Sequence, residues 1–309
     1  MLKRMLSSIP LRIAKRAIGS NKAFSLFQKL GYHITPNHFY YPIPDTTRLK
    51  DDLWLKHSEL DGIDINEEKQ LELLSLFEAS FKNEYERFPR GKTDIPYEYY
   101  LGSGAFESVD CEILYCMIRH FKPRRIYEIG SGYTTYLSAQ ALLKNAKENS
   151  SYQCELVAIE PYPNETLKAG FPGLSRLIPK EVQEVPLTEF KKLTANDILF
   201  IDSSHVLKIG SDVQYEYLDI LPRLNKGVII HVHDIFLPAE YLKNWVLQNR
   251  WFWNEQYLLQ AFLAFNDSFE VLWAGSYMHL NHPEKLGKAF SSYNREKTWP
   301  GSFWMRRMR

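Results

Sequence analysis

Three short segments bring together side chains whose types and spacing suit chemistry. The first is Glu128-Ile129-Gly130-Ser131-Gly132-Tyr133-Thr134-Thr135, joined thirty residues later by Glu160. The second is Ile201-Asp202-Ser203-Ser204-His205, and the third is His231-Val232-His233-Asp234-Ile235-Phe236. The glycines at 130 and 132 permit a tight turn and let a ligand approach the backbone. Thr134 or Ser131 is available to cap the helix that follows. A carboxylate at position 160 can accept hydrogen bonds from both hydroxyls of a ribose. The histidines are candidate general bases, because imidazole titrates near neutral pH. The aspartates could instead hold a divalent cation that lowers the pKa of a bound hydroxyl.

These segments need elements to position them. From residue 124 onward, short apolar runs alternate with helical patterns. Arg125–Ile129, Leu156–Glu160, Ile198–Asp202 and Gly227–Asp234 read as strands that end in polar residues. Thr134–Ala146 and Val213–Leu224 read as helices; Val213, Tyr217, Ile220, Leu221 and Leu224 share one face of the second. Such alternation predicts a parallel sheet covered on both sides, an α/β fold. Asn254–Phe265 reads as helix, and Phe269–Gly275 with Ser302–Met308 as a closing strand pair. The carboxyl ends of the parallel strands are where ligands bind, which places the glycine loop and Glu160 at one crevice.

Two cofactor classes compete for that crevice. A dinucleotide fingerprint asks for Gly or Ala three residues after the second glycine, and position 135 is Thr. Glu128 also makes the loop acidic, which disfavours a pyrophosphate. S-adenosylmethionine, with its cationic sulfonium and ammonium, tolerates nearby carboxylates. A glycine turn with no ligand is the bland alternative.

With these residues in view, the run Arg125–Arg307 resembles the class I S-adenosylmethionine-dependent methyltransferases. It is most similar to their small-molecule and sugar O-methyltransferase branch, found with glycan or secondary-metabolite genes. The resemblance implies a Rossmann-like, seven-stranded, mostly parallel sheet in the order 3-2-1-4-5-7-6, with helices on both faces. It implies a cofactor set of Glu128, Gly130, Ser131, Gly132, Thr134, Thr135, Glu160, Asp202 and Ser203. Glu128, Gly130 and Gly132 would line the methionine part, and Glu160 would hold the ribose. The same strand order would gather Asp202, His205, His233 and Asp234 at one pocket mouth. His205, His233 and Asp234 are then the catalytic candidates, with His205 first as base. His231, deeper on its strand, reads as a hydrogen-bonded core histidine. Metal-dependent relatives hold Mg2+ at the ends of their fourth and fifth strands, which Asp202 and Asp234 match. A third ligand is not apparent; Asp212 and Glu240 are the candidates, and Asp212 has a helix-cap role open to it as well.

The expected reaction is methyl transfer from S-adenosylmethionine to a hydroxyl of a small molecule or sugar. The rivals are a metal-dependent, hydroxylase-like enzyme on the same sheet and a non-catalytic, membrane-associated subunit. Tyr241, Trp245, Trp251 and Trp253 could wall the acceptor, although aromatic side chains more often pack a core. Tyr100 and Phe106 are candidates for closing over the cofactor.

The rest of the chain bounds these readings. It has 309 residues and a formal net charge of +1, with 45% apolar and 24% charged residues, so a packed globular protein is expected. Residues 1–44 carry seven Lys or Arg and no Asp or Glu, which leaves −6 on residues 45–309. The expected organisation is a basic amphipathic arm over 1–44, a helical extension or lid over 45–105 and the methyltransferase domain over 106–309.

Within the arm, residues 2–30 read as helix, interrupted near Pro10 and Gly19. Its apolar residues are Leu2, Met5, Leu6, Ile9 and Ile13, then Phe24, Phe27 and Leu30. Such a helix fits a partner-protein surface, the body of the protein, or the headgroups of an anionic membrane. An organelle transit peptide shares this composition. Tyr40–Asp45, with two prolines, reads as a linker. A long helix over Ile65–Phe88 starts with Asp64 and Glu67 spaced as a capping box. Arg90–Gly104 reads as loop, followed by a helix over Ser108–Phe121.

Cys111, Cys116 and Cys154 form no CxxC or Cys/His cluster, which predicts free thiols and no zinc site. No apolar run is long enough to span a bilayer, and no signal-peptide core precedes the body. The expected location is cytoplasmic, with contact at the inner membrane surface open to the basic arm. Nucleic acid is not an expected partner, since Lys and Arg form no stripe interleaved with aromatics. Whether chains pair into a homo-oligomer is left open.

Overall fold

The computed structural model describes residues 17–309. The residues of the expected arm helix from Leu2 to Ile13 lie outside them. The described residues divide into two compact units, 17–53 and 54–309. In the first, helix α1 spans Asn21–Lys29, and Ser20 caps it by accepting the Ala23 N–H at 3.2 Å. Phe24, Leu26 and Leu30 of this segment are exposed.

The second unit is built on one seven-stranded sheet in the order β3-β2-β1-β4-β5-β7-β6. The strands are β1 Arg125–Ile129, β2 Glu155–Ile159, β3 Arg176–Ile178, β4 Ile198–Ile201, β5 Ile229–Val232, β6 Phe269–Ala274 and β7 Phe303–Arg307. The four pairings among β1 to β5 are parallel, and β7 runs antiparallel to both β5 and β6. This is the sheet that the apolar runs and the resemblance imply.

Side-chain alternation decides how the sheet is covered. Ile126, Leu156, Ala158, Ile198 and Phe200 face one core, with Leu114, Met117, Leu137 and Ala141. Tyr127, Ile129, Val157, Ile159, Leu199 and Ile201 face the other, with Val213, Tyr217, Ile220 and Leu221. Strands buried on both faces must be apolar at nearly every position, which is why they read as continuous runs.

The first core is closed by α2 Glu67–Tyr85, α3 Asp110–Phe121 and α4 Tyr133–Glu148. Arg119 ties the three together. Its guanidinium donates to Glu84 at 2.8 Å, to Glu148 at 2.7 Å and to Asn145. The spacing of Asp64 and Glu67 does not produce a capping box. Asp64 accepts the N–H of Asn66, whose left-handed backbone (φ 52°) starts α2, and Glu67 turns instead to Tyr277 and His282.

The segment expected as one helix over Val213–Leu224 is α-helical only over Asp212–Tyr215. It widens into a π turn over Glu216–Ile220 and tightens into a 3-10 turn over Leu221–Arg223. Glu216 in the π turn is buried and accepts the Ser203 hydroxyl at 3.1 Å, while Pro222 cannot donate to the ladder.

Among the described residues, no helix is long and apolar enough to cross a membrane.

Candidate active site

Strand β1 lies between β2 and β4, so the chain leaves it at the point where strand order reverses. The loop after β1 is fixed from both neighbours. Gly130 N–H donates to the Ile159 carbonyl at 3.0 Å, and Asp202 N–H donates to the Ile129 carbonyl at 2.9 Å. Gly130 has φ +76°, and a Cβ there would sit 1.8 Å from the Asp202 carbonyl oxygen. Only glycine fits. Gly132 is different: its backbone is extended and nothing lies within 4 Å of a Cβ added to it.

Glu160 closes this loop. One carboxylate oxygen accepts the Ser131 N–H at 3.1 Å and the other accepts the Tyr162 N–H at 2.8 Å. Each oxygen keeps a lone pair for a further donor. Gly130, Glu160, Asp202 and Ser203 line a cavity of about 580 Å³ with Ile159 and Tyr162. Thr134 and Thr135 do not line it. Both are buried and turn their hydroxyls onto the same oxygen of Glu128, Thr135 at 2.9 Å. Thr135 also accepts the Gly132 N–H at 3.0 Å, capping α4.

Glu128 is fully buried, and its second carboxylate oxygen has no hydrogen-bond partner. Burial pushes its pKa from the ordinary 4.5 up to about 8, against the pull of the two threonine hydroxyls and with a smaller push from Asp202. The sign of the stability effect follows. Between pH 4.5 and 8 the folded chain keeps a proton that the unfolded chain releases, so stability falls as pH rises through this window. Glu128→Gln removes the titration. Urea unfolding at about pH 5 and pH 8 should show the native protein losing up to about 4 kcal/mol more than the variant across that interval. Parallel losses in the two proteins would show that Glu128 ionises freely in the fold.

The second cluster forms where β4 and β5 end side by side. Residues Asp202, His233 and Asp234 offer three ligand atoms within 4.8 Å of one another. His205 lies against them: its Nε2 is 3.3 Å from Asp202 Oδ1 and 3.6 Å from Asp234 Oδ2, and its Nδ1 is 3.0 Å from Glu255 Oε2. Burial works against protonation of His205, but Asp202 and Glu255 outweigh it and hold the pKa well above the ordinary value. The His205 carbonyl also accepts the N–H groups of Asn254 and Glu255, at 3.1 and 3.2 Å, where helix Glu255–Leu263 begins. His205 (φ 59°) and Asp234 (φ 54°) both adopt the left-handed backbone region, which is uncommon for residues other than glycine. The contacts on each side hold them there.

His233 packs its ring 5.0 Å from Phe106, and its Nδ1 is buried without a partner. Burial lowers its pKa, yet Asp234, Asp202 and Asp110 together raise it above the ordinary value. His231 is a core residue, stacked on Phe200 at 4.0 Å, but neither ring nitrogen is hydrogen-bonded. Burial drives its pKa well below the ordinary value, so it stays neutral.

Asp202, His233 and Asp234 line a second cavity of about 650 Å³, so Asp202 borders both cavities. His205 borders neither. Trp245, Trp251 and Trp253 form one wall of the second cavity, whereas Tyr241 is buried behind them and donates nothing to it. Phe106 is a core residue under His233, and Tyr100 hydrogen-bonds Tyr133 at 3.1 Å. Asp212 and Glu240, the third-ligand candidates, are engaged elsewhere. Asp212 accepts Ser204 N–H and Oγ–H at 2.9 and 2.7 Å, and Glu240 accepts from Tyr241, Gln256 and Tyr257. The third member is His233 itself.

Sequence reasoning missed Glu255 and Asp110. Asp110 accepts the N–H groups of Gly301 and Ser302, at 2.9 and 3.0 Å, and so anchors the entry to β7 beside Asp234. Both acids lie far along the chain from the residues they serve, in stretches with no motif.

Comparison with known proteins agrees with this geometry. Residues 127–235 match the family model of a methyltransferase domain. An uncharacterized protein of Archaeoglobus fulgidus is 31% identical over 181 residues, covering 56% of this chain and 80% of that protein. Residues 127–235 thus carry a methyltransferase domain, on a sheet in the strand order of the class I, S-adenosylmethionine-dependent methyltransferase fold.

Among solved structures, it is similar to an O-methyltransferase from Bacillus cereus in complex with SAH. The identity is 14%, the TM-score 0.38, and the match covers 78% of this chain and 91% of that one. A methyltransferase of the mycinamycin biosynthetic pathway, solved with Mg, SAH and mycinamycin VI, is 11% identical with a TM-score of 0.35. That match covers 62% of this chain and 47% of the other. Overlaps this loose do not bear on what this chain binds.

Proposed function

We propose that this protein transfers the methyl group of S-adenosylmethionine to a hydroxyl of a small molecule or sugar. The observation that carries this reading is the pair of cavities that share Asp202. One is built from the glycine loop and Glu160, and suits an adenosyl donor. The other presents His233, Asp234 and a tryptophan wall, and suits an acceptor. Methyl transfer is a displacement. The acceptor oxygen forms a bond to the methyl carbon as the carbon–sulfur bond breaks, and the sulfonium takes that electron pair. The hydroxyl proton must leave, and His233 is the base we assign, because it borders the acceptor cavity. His205, pinned by Asp202, Asp234 and Glu255, positions the two aspartates.

Isothermal calorimetry should show S-adenosylmethionine or adenosylhomocysteine binding the native chain. Glu160→Ala should weaken it about 10- to 100-fold, the loss expected for charge-assisted hydrogen bonds to the ribose. Absence of binding by the native chain would remove the donor assignment.

A second reading rests on the donor set itself. Asp202, His233 and Asp234 fit a divalent cation, Mg2+ or one more tolerant of a nitrogen ligand. When bound there, such an ion would polarise the acceptor hydroxyl.

A further inference from the structure

The acceptor cavity has a charge pattern that the methylation reading leaves unused. Four carboxylates border it, and each is engaged within the protein. Glu107 accepts the N–H groups of Gly102 and Gly104, at 3.0 and 2.7 Å. Asp110 accepts the two N–H groups before β7. Asp202 and Asp234 face the His205 ring. Two cations also border the cavity, Arg90 and Lys297, and both are exposed. Among the described residues neither forms an ion pair, and Arg90 makes only a 3.1 Å bond to the Ser291 hydroxyl. Arg90 and Lys297 are therefore cations at this mouth with no ion partner among the described residues.

The same cavity also has a flat, apolar wall. Trp251 and Trp253 stack with ring centroids 5.0 Å apart and planes 9° from parallel. Trp245 meets both edge-on, at 5.3 and 5.2 Å. Trp253 in turn lies 4.4 Å from the His205 ring, so the wall leads to the aspartates. Exposed tryptophan faces take up the flat face of a ring.

We propose that the acceptor is a ring compound carrying a carboxylate or phosphate, with the ring against the Trp245–Trp251–Trp253 wall and the anion at Arg90 and Lys297. This rests on the reading of the cavity as the acceptor site. A cationic ring, which tryptophan faces also attract, is the competing occupant, and tyramine is its probe.

Calorimetric titration of the full chain separates the possibilities. The probes are 4-hydroxybenzoate, phenol and tyramine, with glucuronate and glucose as the sugar pair. Each is titrated with and without saturating adenosylhomocysteine, so a failure of donor binding is seen separately from a failure of this cavity. At least one acid should bind about fivefold or more tighter than its neutral partner, as an exposed charge pair allows. Which acid does so tells an aromatic from a sugar ring. The double variant Arg90→Ala, Lys297→Ala should lose that preference while adenosylhomocysteine affinity stays within about twofold. Trp251→Ala, at an exposed position, should weaken acid and neutral ring alike. Tyramine binding as tightly as the acids, no binding by either acid, or an undiminished preference in the double variant would overturn the proposal.

Discussion

Gly130→Ala should unfold at a markedly lower urea concentration than the native protein, with a loss of about 3–5 kcal/mol. Two terms add. The residue sits at φ +76°, where any L side chain costs about 1 kcal/mol or more. The added Cβ would also lie 1.8 Å from the Asp202 carbonyl oxygen. That oxygen belongs to the backbone of a residue whose N–H is tied to Ile129, so it has no flexible end to swing aside. Relief requires β1 and β4 to part at their carboxyl ends, where both cavities meet. Gly132→Ala is the matched control. Its extended backbone and open surroundings predict a stability change within about 1 kcal/mol, the range of a cap substitution. Equal stability of Gly130→Ala and the native protein would mean that the loop does not pass Asp202 as described.

His233→Ala should lower the methyl-transfer rate about 10²- to 10⁴-fold, the usual contribution of a positioned base. Adenosylhomocysteine affinity should change little, because His233 borders the acceptor cavity and not the other. Its ring is buried against Phe106, so His233→Asn, which keeps a polar side chain nearer the original volume, guards against a folding defect. Chelation resolves the role. If EDTA leaves the native rate unchanged, His233 acts on the proton directly. If EDTA abolishes the rate and Mg2+ or Mn2+ restores it, His233 serves with Asp202 and Asp234 as a ligand. A rate within about threefold of native in both variants would exclude either role.

The sheet was largely legible because it is buried on both faces. Four strands, β1, β2, β4 and β5, had to be largely apolar runs, and the runs ending at Ile129, Ile201 and Val232 differ from their expected ends by at most two residues. Strand β3, three half-buried residues, carries too little apolar signal to be found by pattern. The helix after β4 misled for a related reason. Its apolar spacing is real, but buried Glu216 and Pro222 break the regular ladder, and spacing alone does not report a broken hydrogen bond.

Sequence by itself determined the glycine turn after β1, since a glycine between two strand ends, an acid near the end of each strand and a capping Thr are all local features. It also determined which residue types stand at the ends of β4 and β5. Tertiary structure decided what those residues do. Glu255 and Asp110, remote in sequence, hold His205 and the entry to β7, and His233 borders the cavity beside them. Packing turned Thr134 and Thr135 inward onto Glu128, and brought three tryptophans and two cations to the border of one cavity. The physical reason is one of range. Turns and caps act over a few residues, whereas charge compensation and cavity walls depend on which distant segments the fold brings within a few ångströms.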